Sequence, residues 1–128
     1  MAAAPQANSV FTIRFDFGSS RVVVPAETTA ALVETARTAP LVMLRGRTDG
    51  TSDSAAESRI ARERAAAVRD YLVGAGVDPA RIRVTYQPIG DFAADNSKPA
   101  GRGMNRRVEI EVYRALPVAM ASAVAVLH

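Results

Sequence analysis

Three ionisable side chains stand out by where they fall: Asp49, Glu57 and Arg64. At about 100° per residue, a helix through this region that places Ile60 at the origin puts Tyr71 at about 20°, Val68 at about 80° and Leu72 at about 120°. Arg64 falls at about 40°, inside that apolar stripe, whereas Arg59, Arg62, Arg69 and Asp70 lie off it. A guanidinium keeps its proton, so an arginine aimed at a core must snorkel out, pair with an acid or bind an anion. The nearest acid in topology is Asp49, in the loop that enters the helix, where free backbone N–H groups also favour anions. Glu57, at about 60°, shares the face of Arg64 roughly two turns earlier. A cleft floor with both signs suits a zwitterion, its ammonium on the carboxylates and its carboxylate on the planar, bidentate guanidinium. The same residues also fit an internal Asp49–Arg64 ion pair that fixes the loop and binds nothing. Periodicity leaves both open.

Other chemistries find little support. The 128 residues include one histidine, His128, and no cysteine, which removes thiol catalysis, cysteine zinc sites and histidine-based general acid–base or metal chemistry. Ser19 and Ser20 have no histidine or lysine base nearby in sequence. The spacing of Asp49, Asp53 and Glu57 is not that of an EF-hand loop, and Gly101-Arg102-Gly103 is too short for a phosphate loop. No catalytic residue, metal or cofactor is therefore expected. A net charge of +3 tolerates an anionic partner without demanding one, and the sparse aromatics argue against nucleic acid.

The elements that must position these residues are readable from pattern. Phe11, Ile13, Phe15 and Phe17 alternate with polar residues as a strand with one buried face. Pro25 opens a helix over about 26–38 with Ala31, Leu32 and Thr35 or Ala36 inward, and Pro40 ends it. Leu41-Val42-Met43-Leu44 reads as a central strand. Residues 46–53 form a loop, and a long helix runs from Asp53 or Ser54 to Gly74 or Gly76. Strands follow at 81–86, with Ile82 and Val84 on one side, and at 107–112, with Val108, Ile110 and Val112 inward; 87–104 reads as irregular. The order β-α-β-α-β-β, with one polar face on most strands, gives an α+β two-layer sandwich: a four-stranded mixed sheet with helices on one face.

One domain is expected over 10–114, after a loose leader (1–9) and before an apolar tail (115–128). The tail is shorter than the roughly 20 residues a membrane span needs. It reads instead as a packing element or a self-association patch. The opening Met1-Ala2-Ala3-Ala4-Pro5-Gln6 lacks the basic and apolar regions of a signal peptide, which by itself reads as a cytosolic protein or an excised domain.

Several blocks, in order, resemble the OmpA-like C-terminal domain, the module shared with peptidoglycan-associated lipoproteins and flagellar stator proteins. They are Phe15-Asp16-Phe17, Gly46-x-Thr48-Asp49, the run Arg64 to Leu72, Gly76 to Ile82, Asp95-Asn96, and Gly101-Arg102-Gly103-Met104-Asn105-Arg106-Arg107-Val108-Glu109-Ile110. The resemblance implies non-covalent capture of the diaminopimelate of peptidoglycan stem peptides, with Asp49 at its amine and Arg64 at a carboxylate. Phe17 and Gly18 would line the groove with Thr48 and Glu57. Arg102, Asn105, Arg106 and Arg107 would brace the long loop against the last strand. Arg106 shares the inward parity of Val108 and would need a carboxylate such as Asp91 or Asp95. Arg47, Ser52, Glu57, Tyr86 and Phe92 depart from the family pattern; Glu57 on Arg64, or Arg47 on Asp49, would close the site. The resemblance places such a domain in the periplasm, at the outer membrane or cell wall, as a non-enzymatic anchor. The alternative is a scaffold that docks other envelope proteins without binding peptidoglycan.

Overall fold

The computed structural model describes residues 7–50, 55–87 and 96–114. The elements are β1 (Ala7–Arg14), α1 (Ala26–Arg37), β2 (Leu41–Arg47), α2 (Ala55–Gly74), a 3-10 turn (Pro79–Arg81), β3 (Ile82–Gln87), α3 (Pro99–Asn105) and β4 (Arg107–Tyr113). The strands form one sheet in the order β1-β4-β2-β3, with β4 antiparallel to both neighbours and β2 parallel to β3. This is the expected α+β mixed sheet, open at β1 and β3.

Alternation decides which face is covered. Val42 and Leu44 of β2, Val108, Ile110 and Val112 of β4, and Ile13 of β1 are buried and pack with Leu32 and Ala36 of α1 and Val68 and Leu72 of α2. The intervening residues carry charge to the other face. There Arg45 pairs with Glu111, and Arg107 Nε stands 2.8 Å from Glu109 Oε2. Tyr113 donates its hydroxyl to Glu111 at 3.0 Å.

Helix α2 comes close to the sheet because its inner face is small. Its buried residues are Ala61, Arg64, Ala65, Val68 and Leu72, and a Cβ on Gly46 would overlap the Ala61 carbonyl oxygen and reach 3.1 Å from Ala65 Cβ. The buried stripe is thus centred near 100°, on alanines, and not near Ile60 and Tyr71, which are half-buried. Arg64 sits on its margin. On α1, Leu32 and Ala36 are buried but Ala31 is exposed.

Two expectations need correction. Strand β1 begins at Ala7, within residues read as leader, and ends at Arg14. Phe15 stays buried, but a turn follows in which Ser19 N donates to Asp16 O at 3.0 Å. Gly18 takes φ +68°, a conformation glycine adopts without a Cβ clash, and Phe17 is thrown out to 83% exposure. Residues 99–104, read as irregular, form α3 together with Asn105, with Pro99 in its first turn. The expected start of α2 at Asp53 or Ser54, and the positions of Ser52, Asp91, Phe92, Asp95 and the tail 115–128, lie outside the described residues. On β3, Ile82 is buried whereas Val84 and Tyr86 are exposed, as suits an edge strand.

All the loops that matter gather at one end. The exits of β1 and β2 and the entry to β4 lie together, because Arg14 pairs with Arg107 and Gly46 with Val108. Ala7 and Tyr113 pair at the far end.

Candidate functional site

Arg64 is 1% exposed and is held by neutral oxygens. Its Nε donates to the Ser19 carbonyl at 2.9 Å, Nη1 to the Arg47 carbonyl at 3.3 Å and Nη2 to the Asp16 carbonyl at 3.3 Å. One side chain thereby ties the loop after β1 to the end of β2. Its Cζ lies 5.4 Å from the centre of the Phe15 ring, within cation–π range. Among the described residues three of its five N–H donors are used, which leaves one on each terminal nitrogen, the number a carboxylate needs for a two-point contact. Burial pulls the guanidinium below its ordinary pKa; the Asp49 charge pulls it back up, Arg106 pushes it down and Glu57 pulls it up. It remains a cation.

Asp49 and Arg64 form no ion pair with each other. Asp49 Oδ2 is instead 3.0 Å from Arg106 Nη1, and Arg106 Nε donates to the Phe15 carbonyl at 3.0 Å. The internal Asp49–Arg64 pair that spacing allowed is therefore not what holds the loop. Arg106 points inward, as its parity with Val108 requires, and the carboxylate it meets is Asp49; Asp91 and Asp95 lie outside the described residues. Thr48, 1% exposed, accepts a hydrogen bond from Gly50 N at 3.0 Å and shapes the turn under Asp49.

A residue that motif reading left without a role completes the frame. Asn96 donates through Nδ2 to the Asp49 carbonyl at 2.9 Å, accepts from Asn105 Nδ2 at 3.1 Å and accepts from Arg102 Nη1 at its own carbonyl at 3.4 Å. It couples the Asp49 loop to α3. Its place beside Asp95 in the long segment was the available signal. Arg107 faces the other side of the sheet, on Glu109.

Two contiguous concavities open on this frame. The smaller, about 180 Å³, is lined by Phe17, Gly18, Asp49, Glu57 and Arg64 with neighbouring α2 residues. The larger, about 590 Å³, is lined by Phe17, Asp49, Gly50, Glu57, Asn96, Pro99, Arg102 and Arg106. Phe17, Asp49 and Glu57 border both. Glu57 folds against Gly50 so closely that a Cβ there would overlap its carboxylate. Another concavity, about 820 Å³, between α1 and the second half of α2, shares no residue with these two.

The profile of the OmpA family matches residues 14–106. The chain belongs to the OmpA family. This OmpA-family chain is 37% identical over 73 residues to a protein described as an outer membrane lipoprotein of a type IV secretion system from Brucella melitensis, covering 57% of this chain and 42% of that one. It thus spans less than half the length of that relative. Its fold matches the crystal structure of the peptidoglycan-associated lipoprotein from Burkholderia pseudomallei with a TM-score of 0.67 and 26% identity, over 80% of this chain and 88% of that chain. It also matches the cell wall anchor of the type VI secretion system from Pseudomonas aeruginosa, with a TM-score of 0.65 and 26% identity, over 81% and 80% of the two chains.

Proposed function

We propose that this domain binds the diaminopimelate of peptidoglycan stem peptides and so anchors an envelope protein, without catalysis, to the cell wall in the periplasm. The observation that carries the reading is the state of Arg64, a buried cation braced by three neutral carbonyls, making no ion pair among the described residues, and bordering a cleft that also contains Asp49. A fixed guanidinium with one donor left on each terminal nitrogen is preorganised for a carboxylate. Asp49 spends Oδ2 on Arg106 and keeps Oδ1 for an ammonium, to which Glu57 adds a second negative charge from the same wall. Phe17 offers an apolar rim for the ligand's methylene chain. Membership of the OmpA family and the likeness to two solved structures, of a peptidoglycan-associated lipoprotein and a cell wall anchor, support the same reading.

The test is co-sedimentation with purified sacculi. The wild-type domain should pellet with them and be released by free meso-diaminopimelate, and Arg64→Lys, which keeps the charge but not the fork, should stay in the supernatant. Wild-type protein that remains soluble beside diaminopimelate-containing sacculi would overturn the proposal.

A further inference from the structure

We infer that the larger concavity is a second carboxylate subsite, which reads the residue adjoining the diaminopimelate; this rests on the function proposed above. Two arginines line it, and both have donors to spare. Arg106 uses Nε on Phe15 and Nη1 on Asp49, which leaves both N–H groups of Nη2 without a partner among the described residues. That nitrogen packs beside Gly103, 3.3 Å from where a Cβ would stand, on the side of α3. Arg102 projects from α3 into the same space, makes a single side-chain hydrogen bond, to the Asn96 carbonyl, and meets no acid among the described residues.

Both concavities carry charge of both signs. The smaller one holds Arg64 and Arg59 with Asp49 and Glu57, a zwitterion's complement. The larger one shares those acids at its border and brings two other guanidiniums, that of Arg106 paired with Asp49 through Nη1, together with the Asn96 amide. A ligand seated in the first and continuing into the second, across the shared border of Phe17, Asp49 and Glu57, meets a wall bearing the spare donors of Arg102 and Arg106. Such a wall suits a carboxylate, by forked hydrogen bonds that an amide satisfies poorly. In a stem peptide that group is either the free carboxylate of the residue before the diaminopimelate or the terminal carboxylate of the residue after it.

The experiment uses three soluble muropeptides: one with both carboxylates free, one amidated on the residue before the diaminopimelate and one amidated on the alanine after it. Titration calorimetry should show the wild-type domain losing roughly tenfold in affinity for one of the two amides, which identifies the residue read. Arg102→Gln, which among the described residues gives up one side-chain hydrogen bond, to the Asn96 carbonyl, should melt near the wild-type temperature and bind that amide and the free acid alike. Equal affinity of the wild type for all three would overturn the subsite while leaving diaminopimelate capture intact. Binding to none of them would overturn both.

Discussion

Arg106 Nη1 stands 3.0 Å from Asp49 Oδ2, and this contact joins the approach to β4 to the loop that leaves β2, with Asn96 tying the same loop to α3. Asp49 is thus oriented by contacts within the domain, and Arg64 is oriented separately by backbone carbonyls. The two charges face the cleft without neutralising each other.

Asp49→Asn keeps the shape of that contact and removes the charge. Charge-assisted hydrogen bonds contribute about 1.5–3 kcal/mol, so muropeptide affinity should fall by roughly one to two orders of magnitude. Calorimetry on the variant, with circular dichroism to confirm the fold, checks it.

Arg64→Lys tests the bracing role apart from binding. One ammonium cannot span the Ser19, Arg47 and Asp16 carbonyls that the guanidinium joins across two loops. Leaving a buried acceptor unpaired costs about 1–3 kcal/mol, and the urea midpoint should fall accordingly with an unchanged m-value.

Gly46→Val tests the close approach of α2 to the sheet. The new side chain would drive into the Ala61 carbonyl and Ala65, and overpacking of this kind costs roughly 1–3 kcal/mol. Chemical denaturation should show that loss, whereas Gly74→Ala, where a Cβ meets nothing within 4 Å, should not.

Alkaline stability should depend on Tyr113. Burial raises its phenol above the ordinary value, and the hydrogen bond to Glu111 raises it further. The folded chain therefore holds a proton that the unfolded chain releases near pH 10, so this contribution is complete below about pH 10 and is lost as pH climbs through the folded value. Tyr113→Phe should flatten that alkaline decline in a series of urea titrations.

Strands and the two longer helices were legible because each buries one face at a regular period, as Val108, Ile110 and Val112 do. Arg64 was legible for the same reason: a cation among apolar neighbours breaks the pattern. Its partners were not. Spacing ranks acids, and the oxygens that hold Arg64 are carbonyls, which every residue has. Helix α3 escaped because seven residues with two glycines show no periodicity, leaving Pro99 as its one local sign. Phe17 followed the alternation of β1 in sequence but not in space, since the strand stops at Arg14 and the turn at Gly18 turns the ring outward. Glu57 and Phe17 share the cleft with Asp49, yet nothing local in sequence sets how far their side chains reach into it.

The pairing of Ala7 with Tyr113 puts the start of β1 and the end of β4 at the pole away from the cleft. Under the proposed function, a pull between a wall fragment in the cleft and the chain beyond either of those residues would run lengthwise along the strands. The hydrogen bonds of the β1–β4 ladder would then be loaded together and not one after another.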